Sequence, residues 1–438
     1  MSSASQSNRD PQSNRAPQSN RDPQSNRDPG YGLPPANTGN WLLDRLSNAS
    51  IALVHIERRF DPFFRPLFDA LFQNLLTSTA SGLINLGRTL SHADQGMKIA
   101  EERIQPDEEA HVEEIIDTMR RQMEGLWKPG SFQRGGNTKT HGIVRAEFTV
   151  RDDLPANMRR GIYATPRTYP AWVRFSGPGP YITADIDDVG FMSMSIKLMD
   201  VPGTKLLDDE KFTQDLLGVV TPTFVTANTK SNTDLQAWSL KNASIYHFIK
   251  FRNHHLLDFA MQGLWIKTQS SPLECQYFSC VPYLLGEGQA MMYSMRSRLT
   301  TRTRVPRLPL RPPDNYLREA MAATLEKQDV EFDILLQTQA DPFKMPIENA
   351  AVFWPPRLSP RIPAATLRIP RQKFDSPEQL AFARVLSYNP WHSLPEHRPL
   401  GNQSRVRLRL YKELSTFRQK MNSVQHYEPN GNETFPQA

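Results

Sequence analysis

An arginine and a tyrosine four residues apart, Arg407 and Tyr411, carry the most specific chemical signal in this sequence. A phenol titrates near pH 10 and is a poor anion at neutral pH unless a cation stands beside it. Positions i and i+4 of a helix share a face, so the Arg407 guanidinium can sit by the Tyr411 oxygen and favour its ionised form. Upstream, Thr140-His141-Gly142 offers an imidazole able to take and return a proton near neutral pH. Val173-Arg174-Phe175-Ser176 adds a guanidinium and a hydroxyl, and Arg418 follows seven residues after Tyr411. A guanidinium fork matches a carboxylate through two parallel hydrogen bonds. An isolated Arg–Tyr pair is ordinary helix surface. In this company it suits a haem pocket whose iron is held by a phenolate.

Those residues need a scaffold. At 438 residues the chain can bury a large core, and its 36 prolines point to long irregular connections rather than a helical bundle. From 138 to about 300 the pattern is strands and turns; 143–150, 171–175 and 190–198 read as strands, the last alternating cleanly. This predicts an antiparallel barrel. A proline-rich link over 301–315 precedes a helix and further strands over 316–378, and a helix over 403–421 carries Arg407, Tyr411 and Arg418. Another helix is expected over 107–125, with an acidic start and Gly125 at its stop.

The N-terminal part differs. Residues 6–29 are four tandem copies of a polar hexapeptide, Gln-Ser-Asn-Arg-Asp/Ala-Pro, with too little apolar surface to offset ordering, so a disordered tail is expected. Residues 41–100 read as helical, and 61–76 form an aromatic-rich apolar stripe at helical spacing. Such a stripe is expected to pack on the domain body; a membrane-surface or partner-binding helix is the sharper alternative. The expected division is a repeat tail (1–38), a helical extension (39–104), a haem domain (105–425) and a C-terminal tail (426–438).

Residues from about 105 to 425 resemble the catalase superfamily, and more closely its smaller catalase-related branch, which includes allene oxide synthase-like haem proteins. The resemblance is carried in order by Thr140-His141-Gly142, Asp153-Leu154-Pro155, Tyr169-Pro170, Val173-Arg174-Phe175-Ser176 and Asp188-Val189-Gly190-Phe191 with Lys197. Gln214-Asp215-Leu216, Thr221-Pro222-Thr223-Phe224 and the stretch from Asn389 to Tyr411 complete it. It implies an α+β fold, a twisted antiparallel β-barrel with flanking helices, binding haem b between barrel and helices. It implies Tyr411 as iron ligand, Arg407 as the group that keeps it ionised, and Arg174 and Arg418 as partners of the haem propionates. His141 would be the distal proton carrier and Ser176 the hydroxyl that orients its ring.

The match departs in two places. Full catalases carry an asparagine in an Asn-Asn-Thr-Pro stretch where this chain reads Val219-Val220-Thr221-Pro222. Losing one such donor from a preorganised site costs roughly 100- to 1000-fold in rate. Thr138 also stands where catalases carry an arginine three residues before the histidine, which removes one propionate contact. The expected activity is therefore haem-dependent peroxide chemistry of a peroxidase-like or hydroperoxide-transforming kind, with weak catalase activity at most. An oxidative step in secondary metabolism fits such an enzyme. The alternative is a non-catalytic haem-binding protein. A homo-oligomer is among the states the resemblance implies.

Other classes find less support. The net charge of +6 comes with no dense Lys/Arg block, so no nucleic-acid partner is expected. Cys275 and Cys280 make no disulfide framework and fit a reduced interior. No apolar run reaches a membrane span and the polar N-terminus shows no secretory signal, so a cytoplasmic protein is expected. His392 and His397, five apart across an irregular turn, read as structural rather than zinc ligands. Asp187-Asp188 and Asp208-Asp209-Glu210 read as loop carboxylates.

Overall fold

A computed structural model describes residues 32–188 and 190–436. The hexapeptide repeats, and the disordered tail expected there, lie outside the described residues.

Alternation of apolar and polar residues, which sends successive side chains to opposite faces, builds one antiparallel sheet. Its strands are β1 (Thr140–Val150), β2 (Thr168–Ser176), β3 (Ser193–Leu198), β4 (Gln214–Val219), β5 (Gln276–Phe278), β6 (Tyr283–Leu284), β7 (Ala290–Ser297), β8 (Val330–Thr338) and β9 (Ile362–Ile369). Eight of them close into a barrel, because β5 pairs with both β4 and β7 and β1 pairs with β9; the two-residue β6 hangs on the start of β7. Val144, Ala146 and Phe148 of β1, Val173 and Phe175 of β2, and Met194 and Ile196 of β3 enter the main core cluster. An eight-stranded barrel has room for side chains and little else. The alternate positions, Arg174 on β2 and Ser193 and Ser195 on β3, therefore belong to the outer face.

Helices cover that face. They are α1 (Trp41–Phe68), α2 (Asn74–Leu90), α3 (Glu108–Leu126), α4 (Thr229–Leu240), α5 (Ser244–Ile249), α6 (Leu256–Trp265), α7 (Tyr316–Leu325), α8 (Pro377–Val385) and α9 (Asn402–Met421). Val112, Ile115, Ile116 and Met123 of α3 pack against Val406, Leu410 and Leu414 of α9 as a second core. The first turn of α9 is pinned by charge. Arg405 donates to Glu102, Glu108 and Glu348, and the Gly401 N–H bonds to Glu102. Gly401 has φ +84°, and a Cβ there would lie 2.4 Å from the Ile347 carbonyl, so this helix entrance needs glycine. The segment after α9 folds back on the barrel: the Trp172 indole N–H donates to Glu433 at 2.8 Å, and Phe435 packs against Trp172 and Phe382.

The N-terminal helices correct an expectation. α1, one π-helical turn (Asp69–Gln73) and α2 run without a break, but the apolar stripe does not face the body. The buried side chains of α1 are Ser47, Arg58, Asp61 and Arg65, while Phe63, Phe64, Leu67, Leu71, Phe72 and Leu75 are exposed. Polar groups decide the orientation, because buried ones must find partners. Asp61 accepts the Thr268 N–H at 2.7 Å, Arg65 donates to the Leu264 carbonyl at 2.5 Å, and Lys267 pairs with Asp69 at 3.0 Å. Among the described residues no helix is long and apolar enough to cross a membrane.

Candidate functional site

α9 presents one stripe to a cavity of about 370 Å³: Gln403, Val406, Arg407, Leu410, Tyr411, Leu414, Ser415 and Arg418. Steps of three and four residues keep them on one helix face. The outer face of the barrel contributes Arg174, Ser193, Ser195, Leu217 and Val219; α3, α4, the Arg134-Gly135-Gly136 turn and loops that carry Phe191, Phe224, Cys280 and Tyr388 complete the lining.

Arg407 and Tyr411 line this cavity together. Arg407 is buried, its Nη1 has no hydrogen-bond partner, and its guanidinium carbon lies 5.1 Å from the centre of the Phe224 ring. Burial opposes its charge, but Tyr411, Cys280, Tyr283 and Tyr293 together outweigh that and hold its proton more tightly than in free arginine. Cys280 also lines the cavity; burial pushes its thiol pKa up while contact with Arg407 pulls it down. Cys275 and Cys280 are free thiols.

Three arginines converge on the same cavity: Arg174 and Arg418, both buried, and the partly buried Arg134. Arg174 donates to Thr140 Oγ1 and the Asn137 carbonyl, both at 2.8 Å. Arg418 donates to the Arg384 carbonyl and to Ser387 Oγ at 3.2 Å, and Arg134 to the Leu386 carbonyl and to that of Ala383 at 2.9 Å. These partners are neutral, and among the described residues no carboxylate lies opposite any of the three. Burial lowers the pKa of each; Arg134 further lowers those of Arg174 and Arg418, and Arg134 itself falls to about 10. Neighbouring cations of this kind with little solvent around them call for an anion. Arg134 was missed in the sequence because it lies four residues before Thr138, outside the motif frame. Its place brings a third guanidinium to the cavity.

The imidazole expected opposite Tyr411 stands elsewhere. His141 is fully buried but does not line the cavity. A register shift between Thr140 and Gly142 leaves it without a cross-strand partner on β2. Its Nδ1 lies 3.7 Å from Asp185, whose carboxylate is held by Lys139 at 2.6 Å, and neither ring nitrogen has a hydrogen-bond partner. Burial, with Lys139, Arg318 and Arg174 nearby, pushes its pKa well below the usual value, so the ring is neutral. The hydroxyl expected to orient it also points elsewhere: Ser176 Oγ lies 2.6 Å from Ser193 Oγ, its cross-strand partner on β3. Val219 lines the cavity, while Val220 belongs to the barrel core.

His392 and His397 are structural in opposite ways. His392 sits between Asp215 (3.0 Å) and Asp209 (3.2 Å), whose carboxylates, with Glu210, outweigh burial and Lys197 and raise its pKa to about 9. Glu210, Asp215 and His392 are close enough to hold a metal ion, but the Lys197 ammonium already bonds to both carboxylates, at 2.8 Å from Asp215. His397 is buried, accepts the Ile162 N–H at 3.1 Å on Nε2, and is pushed down to about 4 by burial.

The donor set lining the cavity fits haem. A phenol beside an arginine with an unpartnered nitrogen suits an anionic iron ligand. Three guanidinium groups without carboxylates suit two propionates, and Phe191, Phe224, Leu410 and Leu414 suit a porphyrin edge.

No family model matches the sequence, and no curated protein matches it. Solved structures do. The chain is similar to the crystal structure of a fungal catalase, at 12% identity and a TM-score of 0.53 over 66% of this chain and 61% of that one. It is similar to catalase A from Saccharomyces cerevisiae at 12% identity and 0.53, over 69% and 64%. The fold is therefore catalase-like. The chain spans less than two thirds of the length of either catalase.

Proposed function

We propose that the protein is a haem-dependent oxidoreductase of peroxide chemistry that acts on organic hydroperoxides and is a weak hydrogen-peroxide dismutase at most. The supporting observation is the single cavity in which one face of α9 sets Tyr411, Arg407 and Arg418 together with Arg134 and Arg174. In this reading Tyr411 would hold the iron, Arg407 would favour its phenolate, and the three other arginines would neutralise the propionates. Haem, when bound, supplies the redox chemistry that cleaves the O–O bond. The rest of the selectivity would come from the chain. Leu217 and Val219 offer no side-chain donor to a small peroxide, and with Phe191 they give an alkyl group an apolar surface.

A second reading, a non-catalytic haem-binding protein of this fold, is favoured by the set-back position of His141, which leaves no imidazole at the cavity. One experiment separates the two. The haem-loaded protein and Tyr411→Phe are compared by absorption spectrum and by turnover of hydrogen peroxide and of cumene hydroperoxide. A high-spin ferric spectrum lost in the variant, with turnover of the organic hydroperoxide only, supports the enzyme. The same spectrum with no turnover of either supports the carrier. A spectrum unchanged in the variant removes Tyr411 as the iron ligand, and with it the role proposed for Arg407.

A further inference from the structure

The N-terminal helices are amphipathic in the sense opposite to that of a helix on a globular body. From Arg58 onward their charged residues are turned to the body or paired, while Arg45 and Glu57 nearer the start of α1 are exposed: Arg58 is 2% exposed, Asp61 1%, and Arg65, Asp69 and Arg88 are engaged with the body or with neighbouring side chains. Their large apolar residues point outward. From Phe60 to Leu90 no exposed residue carries a charge. Among these residues are four phenylalanines, at 60, 63, 64 and 72, and leucines recurring at 67, 71, 75, 83, 86 and 90. At 1.5 Å per residue the stretch from Phe60 to Leu90 extends over about 45 Å. An apolar face of this length is far beyond what a soluble surface tolerates without a partner.

The neighbouring elements continue it. α6, held to α1 by Arg65 on the Gly263 and Leu264 carbonyls, exposes Leu256, Leu257 and Phe259. The loop between α5 and α6 carries Phe251, 96% exposed, beside exposed Arg252 and His254, with no acidic residue from Lys250 to His255.

We infer that this face docks the protein on the surface of a lipid bilayer containing anionic lipid. The α1–α2 rod lies in the interface with its apolar side in the acyl boundary and its ion-paired side on the protein body, and the Phe251 loop brings positive charge to the headgroups. Three features favour a bilayer over a second copy of the chain. A helix pair in water flanks its apolar seam with charged residues that fix register, and none is exposed here over thirty residues. The exposed apolar band is wider than a seam, since adjacent pairs such as Phe63–Phe64, Leu71–Phe72 and Leu75–Leu76 are all outward. Lys250 is paired with Asp234 and His255 with Asp258, which leaves the exposed Arg252 beside Phe251 as the charge that complements phosphatidylserine headgroups. The rod lies on the membrane rather than across it.

The test uses the full chain, with co-sedimentation on vesicles of phosphatidylcholine and of phosphatidylcholine mixed with phosphatidylserine. Wild type is expected to partition onto both and at least tenfold more strongly onto the mixture. The variant Phe63→Ser/Leu67→Ser/Leu71→Ser is expected to lose at least tenfold in partition, and Phe251→Ser several-fold. All four side chains are exposed, so the variants should keep the wild-type circular dichroism and melting temperature. Wild type left in the supernatant with both vesicles overturns the inference. So does equal binding by wild type and both variants. A wild-type dimer in sedimentation velocity that the triple variant splits, with no vesicle binding, overturns it in favour of a second copy.

Discussion

The α9 side of the cavity and its barrel side invite comparison. On α9 and its surroundings every group that a phenolate-held iron porphyrin would need is present: Tyr411, the buried Arg407 beside it, and three carboxylate-free arginines. On the barrel side the groups that would move a proton are missing from the lining. Valine stands at 219, Ser176 is spent on Ser193, and His141 is turned toward Asp185. In the proposed reading the iron ligand and its arginine lie on a helix, whereas Arg174 and the groups expected to move a proton lie on the sheet, so one set can be kept while the other changes. The helix side is tied to the body by Arg405 and its three glutamates, whereas the barrel side depends on one bulge in β1.

The largest effect expected is on the α9 side. Tyr411→Phe should cost more than about 100-fold in haem affinity, beyond the 10- to 100-fold typical of losing an outer-shell partner, read by haem titration. Arg407→Leu should fall within that 10- to 100-fold range. Next come the arginines. A hydrogen bond to a charged group contributes about 1.5–3 kcal/mol, or roughly 10- to 150-fold. Arg134→Leu and Arg418→Leu should each weaken haem binding by this amount, and equal losses would make Arg134 a full third member of the set. An Arg134 variant that binds haem as wild type does would break the assignment.

The barrel side should respond less. His141→Ala is expected to change hydroperoxide turnover by less than about tenfold, against the 100- to 10,000-fold typical of a working acid–base residue. Val219→Asn restores an amide donor to the cavity. It should raise hydrogen-peroxide turnover by no more than about tenfold, well short of the 100- to 1000-fold a preorganised donor supplies, because no imidazole stands with it. A drop of several hundredfold in His141→Ala would show that the ring swings to the cavity, and the contrast between the two sides would fail.

Which parts of this were legible in the sequence follows from how each is built. The spacing of Arg407, Tyr411 and Arg418 is local helix periodicity, so their shared face was readable without a structure. The strands over 143–150 and 171–175 were readable through alternation. Arg134 was not, because only the closure of a turn against α8 and α9 brings it beside Arg174. The turned His141 was not, because a one-residue register shift leaves no mark in composition. The stripe on α1 is legible as a stripe, but whether it packs on the body or faces a membrane or partner is not. Periodicity tells that a helix has two faces; which of them meets the body depends on partners such as Lys267 and Thr268, some two hundred residues away.

A separate set of effects concerns stability and sharpens a second contrast, between two histidines five residues apart. His392 has a folded pKa of about 9, above the ordinary 6.5. Its contribution is full below pH 6.5 and is lost as pH rises through 9, about 3 kcal/mol over that span. His397 has a folded pKa of about 4. Its contribution is full above pH 6.5 and is lost as pH falls through 4, by a similar amount. From these two groups the melting temperature should peak near pH 6.5, read by calorimetry across pH. Each limb can be assigned to one ring. His392→Gln should flatten the alkaline limb and leave the acid one. His397→Gln keeps an acceptor for the Ile162 N–H while losing the titration, and should do the reverse. If both variants flatten the same limb, the two rings titrate as one network and the contrast between them goes.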